Sequence, residues 1–289
     1  MQQAHPVPEG AFVECRNGQR IHYLEAGEGP TVVFLHGSGP GASGYSNFKG
    51  NYPEFARAGY HCLVLDLVGF GYSAKPQDKE YTLAFFVECV KQALDELGVE
   101  RCSVVGNSLG GAVAIGLALA HTELVEGLIL LAPGGLSARE EYLAMPAMQK
   151  MFAVYASEGG LNEAAMREMF EYGLVYDARH VSDELLAERM HIMGLMNAQV
   201  MATMAIPELA ERLPELGCPV LVFWGCNDRM MPESGILALV RHCEDMKMIM
   251  LSECGHWVMV EHEALFNREC INFLTERTGM ASAPAEAAL

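Results

Sequence analysis

Six short runs of apolar residues punctuate the chain: Thr31–His36 (TVVFLH), His61–Asp66 (HCLVLD), Arg101–Gly106 (RCSVVG), Gly127–Ala132 (GLILLA), Pro219–Trp224 (PVLVFW) and Lys247–Leu251 (KMIML). Each is bounded by Gly or polar residues and is nearly continuous rather than alternating, the pattern of strands covered on both faces of a parallel sheet. Stretches of helical period lie between them. Leu83, Phe86, Val87, Val90, Leu94 and Leu97 fall on one stripe of Leu83–Leu97. Leu109–Ala120 is rich in Ala, Leu and Gly all round, as a helix buried against the sheet would be. Alternation of strand and helix predicts a doubly wound, mostly parallel α/β architecture with right-handed crossovers.

The alternation stops between about Leu136 and Leu213. That segment has no convincing strand, only helical runs at Met145–Ser157, Asn162–Tyr172 and Ser182–Met204, flanked by the loop-like APGG (Ala132–Gly135) and LPELGCP (Leu213–Pro219). It reads as a helical cap of residues 136–213 inserted into a core made of 1–135 and 214–279. The low-complexity end, 280–289, reads as a loose tail.

Composition narrows the function classes. With 289 residues, 51% of them hydrophobic, the chain can bury a large core, which excludes disorder for its bulk. A formal charge of −18 repels phosphate backbones, so nucleic acid is not an expected partner. No apolar run approaches the roughly 18–20 residues that span a bilayer. The start, MQQAHPVPEGAF, lacks the basic and apolar regions of a signal peptide. The nine cysteines are scattered singly, without CxxC or zinc-ligand spacing, and read as reduced and buried. A cytoplasmic protein with no metal is expected.

Gly106-Asn107-Ser108-Leu109-Gly110 follows an apolar strand and opens a helix, the setting of a G-x-S-x-G nucleophile elbow. A serine hydroxyl needs a base and an orienting carboxylate. Asp228 (WGCND) and His256 (SECGH) each follow a later strand, and functional groups of such sheets gather at strand carboxyl ends. The order Ser108, Asp228, His256 is that of an α/β-hydrolase triad. Asp66 ends a strand but precedes the nucleophile, and Asp245 lies in a polar segment. His242 falls in an expected surface helix, and His262, between Glu261 and Glu263, reads as solvated. The glycine-rich His36-Gly37-Ser38-Gly39-Pro40-Gly41 follows the first strand run. The N–H groups of Ser38 and Leu109 would form an oxyanion hole, where such donors each contribute about 3 kcal/mol. A hydrolase of the acyl-transfer type follows.

From about Phe12 to Thr278 the chain resembles the meta-cleavage product hydrolases, carbon–carbon bond hydrolases of the α/β-hydrolase superfamily. The likeness rests on HGSGPGASGYSNF (His36–Phe48), GNSLGG (Gly106–Gly111), APGGLS (Ala132–Ser137), the arginine of ELLAERM (Arg189) and GHW (Gly255–Trp257). Ser108 at the elbow separates it from the epoxide hydrolases and haloalkane dehalogenases, whose nucleophile is Asp. After Asp66 the family often has Pro-Gly; here the run is DLVGFGYS, with Val68. The resemblance implies no cofactor, a homo-oligomer, and a 2-hydroxy-6-oxo-hexa-2,4-dienoate substrate cleaved between C5 and C6 in aromatic or steroid breakdown. It also implies that Arg189 meets the substrate carboxylate or 2-oxo group, that Asn107, Asn47 and Gly37 line the polar end, and that Trp257 walls it. From the residues alone Arg189 reads equally as a solvated helix residue, Asn47 as a loop cap and Trp257 as a core aromatic. Ten of the 18 methionines fall in the insertion, among them Met145, Met148, Met190, Met193, Met196 and Met204. Most read as core filler, some as a wall for the substrate's variable end. A carboxylesterase of the same fold and a non-catalytic ligand receptor are the competing readings.

Overall fold

The computed structural model describes residues 9–157, 160–196 and 198–278. The eight strands are β1 (Ala11–Glu14), β2 (Arg20–Ala26), β3 (Thr31–Leu35), β4 (His61–Leu65), β5 (Cys102–Asn107), β6 (Val125–Leu131), β7 (Val220–Gly225) and β8 (Met246–Leu251). They form one sheet in the order β1-β2-β4-β3-β5-β6-β7-β8. The pairs β1–β2 and β2–β4 are antiparallel; the remaining pairs are parallel. All six expected strands are present. β1 and β2 are additions. β2 (RIHYLEA) buries Ile21, His22 and Leu24 while exposing Arg20 and Glu25, so it mixes polar with apolar positions and escapes a search for continuous apolar runs. β8 also differs from expectation: it is an edge strand whose side chains are only partly covered, and Met250 is exposed.

The first four helices are α1 (Gly44–Phe48), α2 (Tyr52–Arg57), α3 (Leu83–Glu96) and α4 (Leu109–Ala120). Between β6 and β7 come α5 (Arg139–Ala144), α6 (Pro146–Ala156), α7 (Glu163–Gly173), α8 (Asp183–Met193) and α9 (Ala198–Thr203). After β7 follow α10 (Ser234–His242), α11 (Val258–Glu261) and α12 (Glu263–Thr278). α4 runs against the sheet, Ala112, Val113, Ala114, Ile115 and Leu117 having no exposed surface. α3 starts at Thr82, whose hydroxyl accepts the Phe85 N–H, and buries its expected stripe.

The run expected at Met145–Ser157 is present as α6, whereas one helical run of the insertion is broken where expectation had it continuous. Met145 is extended (φ −63°, ψ 135°) because Pro146 excludes the helical region for the residue before it, so α5 ends there and α6 begins with Pro at its first position. The run at Ser182–Met204 divides into α8 and α9 beyond Gly194, a poor helix former. Eight cysteines are buried as expected; Cys226 is exposed. The segment 280–289 lies outside the described residues. No helix of the described chain is long and apolar enough to cross a membrane.

Candidate active site

Ser108 occupies the turn between β5 and α4 with φ 54° and ψ −114°, a conformation that L-residues rarely adopt. Main-chain bonds hold it there. Its N–H donates to Leu131 O at 3.0 Å, and its carbonyl accepts the N–H groups of Gly111, Ala112 and Gly134 at 3.0, 3.1 and 2.8 Å. Strain of about 1–3 kcal/mol is typical of such a residue and survives only under this kind of constraint. The side chain stays partly exposed while Asn107 and Leu109 on either side are buried.

The loop after β3 lies directly alongside, since a Cβ placed on Gly37 would stand 3.3 Å from Ser108 Cβ. His36 pins this loop. Its Nε2 accepts the Leu67 N–H at 3.0 Å, which leaves the proton on Nδ1 to donate to Gly37 O at 2.7 Å. Burial pulls the imidazole down to about 4, so it stays neutral in that role. A trans peptide points its N–H opposite to its C=O. With the Gly37 carbonyl turned to His36, the Ser38 N–H is directed away from it. Among the described residues neither the Ser38 nor the Leu109 N–H meets an internal acceptor, as two oxyanion donors require.

Asp228 and His256 follow β7 and β8, whose parallel pairing brings the two connecting loops together. Asp228 Oδ2 lies 2.7 Å from His256 Nδ1, with both side chains buried. Its Oδ1 accepts the Met230 and Met231 N–H groups at 2.7 and 3.0 Å. The carboxylate therefore fixes the ring with Nε2 as its second, proton-exchanging nitrogen. Among the described residues no hydrogen bond joins Ser108 Oγ to His256; such bonds often tighten only once substrate is bound. His242 at the end of α10 and His262 after α11 bond to neither Asp228 nor Ser108.

Arg189, on α8, is 1% exposed, the largest fully buried side chain described. Its Nη2 donates to Asn47 Oδ1 at 2.9 Å and to Ser46 O at 3.5 Å. Its guanidinium carbon is 4.8 Å from the Trp257 ring centre and 5.7 Å from that of Phe170. Its Nε has no partner and, among the described residues, no carboxylate lies within ion-pair distance. Burial lowers its pKa to about 9, with the charge of Glu188 opposing the shift. The solvated-residue reading of Arg189 is thereby overturned. Asn47 Nδ2 donates to Asn107 Oδ1 at 3.1 Å, and Asn107 Nδ2 to Leu131 O at 3.3 Å. The expected site residues thus form one connected array, Arg189–Asn47–Asn107, ending beside Ser108. Asn107 has both amide atoms engaged within the protein, which suits holding Asn47 more than meeting a ligand.

Three contributors were not singled out from the sequence. Phe170 faces Arg189 from α7, but its stripe looks like that of any buried helix. His36 stood inside a quoted motif that carried no hint of its hydrogen bonds. Asp66, set aside because it precedes the nucleophile, is buried with His22 at 2.8 Å and accepts the Gly44 N–H at 2.7 Å, which anchors the start of α1 and so places Asn47. Met151, Met166 and Met169 pack with Phe170 and Trp257 in one apolar cluster, with Met148, Met190 and Met193 partly buried at its margin. A cleft of about 500 Å³ opens at the opposite, amino end of the sheet, lined by Arg101, Glu126 and Pro219 among others, with no nucleophile–base pair. Among the described residues no group of three or more His, Cys, Asp or Glu side chains could hold a metal ion.

A model of the alpha/beta hydrolase fold family matches residues 30–263. A 2-hydroxy-6-oxo-6-phenylhexa-2,4-dienoate hydrolase of Comamonas testosteroni is 36% identical over 267 residues, 89% of this chain and 92% of that protein. A 2-hydroxy-6-oxononadienedioate/2-hydroxy-6-oxononatrienedioate hydrolase of Paraburkholderia xenovorans strain LB400 is 34% identical over 277 residues, 91% of this chain and 94% of that protein. Among solved structures, a meta-cleavage product hydrolase from Pseudomonas fluorescens IP01, a serine-to-alanine mutant complexed with acetates, superimposes with a TM-score of 0.80 at 26% identity, covering 92% of this chain and 98% of that one.

Proposed function

Since the chain belongs to the α/β-hydrolase fold family, among its meta-cleavage product hydrolases, we propose that it hydrolyses the C5–C6 bond of 2-hydroxy-6-oxo-hexa-2,4-dienoates formed in the breakdown of aromatic compounds. The observation that carries this reading is Arg189: a buried cation without a carboxylate partner, its Nε unsatisfied, linked through Asn47 and Asn107 to the residue beside Ser108. A buried, unpaired guanidinium costs several kcal/mol of desolvation, which an anionic ligand offsets through charge-assisted hydrogen bonds. A simple ester offers no such anion.

The residue roles follow. Arg189 takes the carboxylate or 2-oxo end, with Asn47 orienting the guanidinium and Trp257 and Phe170 stacking on it. The 2-hydroxyl proton is lost and a proton is delivered to C5, which converts the dienol to its keto form; His256 is the shuttle. Ser108, deprotonated by His256, attacks the C6 ketone, and the Ser38 and Leu109 N–H groups receive the oxyanion. Collapse breaks C5–C6. Its electron pair passes through the conjugated carbons to the 2-oxygen, which takes the proton held by His256, so that 2-hydroxypenta-2,4-dienoate departs, His256 is neutral again and the acyl group stays on Ser108. Water, activated by His256, releases it as a carboxylic acid. Asp228 orients His256 and stabilises its protonated form. Helices α5–α9 act as the cap (136–213), and the partly buried Met148, Met190 and Met193 suit a bulky apolar group on the ketone. Singly scattered cysteines without CxxC spacing fit a reducing, cytoplasmic setting. A homo-oligomer is expected and is checked by sedimentation.

Dienolates are coloured, so loss of visible absorbance on adding enzyme is the assay. Turnover by the wild type, with Ser108→Ala binding substrate but forming no product, supports the proposal. No bleaching of small, aryl or steroid-derived dienoates alongside rapid hydrolysis of simple esters makes the protein a carboxylesterase. Tight binding with no turnover of either makes it a receptor.

A further inference from the structure

Glu261, the last residue of α11, points its carboxylate back across the loop that carries His256. Oε1 accepts the Gly255 N–H at 2.6 Å, and Oε2 accepts the N–H groups of Tyr176 and Asp177 at 2.6 and 3.0 Å. One carboxylate therefore joins the residue preceding His256 to the segment after α7. A second tie runs in parallel, from the Trp257 N–H to Leu174 O at 3.0 Å. The residues on both sides of His256 are thus fastened to residues 174–177 of the insertion. From there the connection continues to the anion end of the site: Arg167 of α7 donates to Val181 O at 2.8 Å and pairs with Asp183 at the start of α8, the helix of Arg189. In the sequence Glu261 looked like part of a solvated Glu-His-Glu run.

We propose that Glu261 is a positioning residue that sets the distance between the triad base His256 and the buried cation Arg189 by fastening the His256 loop to the insertion. A substrate held at one end by Arg189 and attacked at the other by Ser108–His256 spans both elements, so its reacting carbon is placed by this connection. Three main-chain N–H groups converge on one carboxylate, and hydrogen bonds to a charged acceptor are about twice as strong as neutral ones. Glutamine cannot replace it: an amide has one acceptor oxygen and would turn its own N–H₂ toward at least one of the donors. A misplacement of about 1 Å between reacting groups costs on the order of 10²-fold in rate.

The inference rests on the proposed reaction, so wild-type bleaching of a dienoate is measured first; its failure there overturns the function itself. In Glu261→Gln, dienoate kcat is expected to fall roughly 10–100-fold with KM changed less than about threefold, while turnover of a small neutral ester falls less than about threefold, because it does not reach Arg189. Rates are expressed per Ser108 labelled by a phosphonate, so loss of folded enzyme does not enter. Lys49→Met, which breaks a different tie between α1 and α8 (Lys49 to Glu188, 2.7 Å), leaves kcat unchanged. Equal losses on dienoate and ester, or an unchanged dienoate kcat, overturn the proposal. Amide hydrogen exchange on the wild type stands independently of any variant. The Tyr176 amide, on a residue 51% exposed, is expected to exchange as slowly as that of Gly255. Exchange of Tyr176 and Asp177 at unprotected rates overturns the connection.

Discussion

At the carboxyl ends of β5 and β7 the Ser108 and Asp228 positions are fixed by main-chain bonds, whereas Arg189 opposite them is held mainly by side chains. Ser108 is caught between β6 and the Gly134 amide, the Ser38 peptide is turned by His36, and Asp228 is seated on two N–H groups. Register and turn geometry decide these positions through the main-chain bonds just named, while the Ser38 and Leu109 N–H groups meet no internal acceptor among the described residues. Arg189 rests on one amide, one long carbonyl contact and two aromatic faces, with an unsatisfied nitrogen and no counter-ion. Under the proposed function, the contrast separates preorganised chemistry from a recognition group held at a cost that ligand removes.

The comparison is broken first at the nucleophile. Ser108→Ala is expected to lower dienoate kcat by about 10⁴-fold or more, leaving thermal stability unchanged because the main-chain constraint remains; residual turnover near wild type removes Ser108 from the mechanism. Arg189→Met tests the other half. We expect kcat/KM on dienoates to fall about 10²–10³-fold while that on a neutral ester changes less than about threefold. Urea unfolding should show equal or greater stability, because a desolvated cation is replaced by an apolar chain. Lost stability with equal kinetic losses would make the arginine structural. The same cation predicts a pH effect: burial lowers its pKa to about 9, so dienoate KM is expected to rise toward alkaline pH while ester KM does not.

On the core side, His36 is neutral when folded down to about 4 and titrates near 6.5 when unfolded. Between these values the unfolded chain binds more protons, so stability falls as pH drops through that window, by about 3 kcal/mol in all. His36→Gln should flatten that part of the pH dependence of urea midpoints. The smallest expected effect joins the two regions. Gly41 has φ +62°, and a Cβ there would lie 2.0 Å from Arg189 O. Gly41→Ala should cost about 2 kcal/mol by chemical unfolding, and a neutral result would mean that α8 is not seated on this loop.

The central parallel strands, α3, α4 and the residues of the elbow, base and acid were legible because their determinants are local: continuous apolar runs, a 3.6-residue stripe, and Gly-x-Ser-x-Gly between a strand and a helix. β2 was not, since its alternation of Arg20, Ile21, His22 and Glu25 acquires meaning only once β4 lies on one side and β1 on the other. Asp66 was weighed by its place in chain order and rejected as a triad acid; its structural role appears only when His22 and Gly44 are brought to it.

Arg189 and Glu261 mark the boundary. Arg189 could be named through the resemblance of its surroundings to a family, yet in ELLAERM nothing distinguishes a solvated arginine from a buried one. Glu261, between an apolar tetrapeptide and a histidine, has the composition of a surface. Residue type and spacing determined the six central strands, α3 and α4, and singled out the proposed nucleophile, its acid and its base. Burial of a charge and the convergence of N–H groups on a carboxylate depend on segments tens of residues apart meeting in three dimensions, and only the tertiary structure decided those.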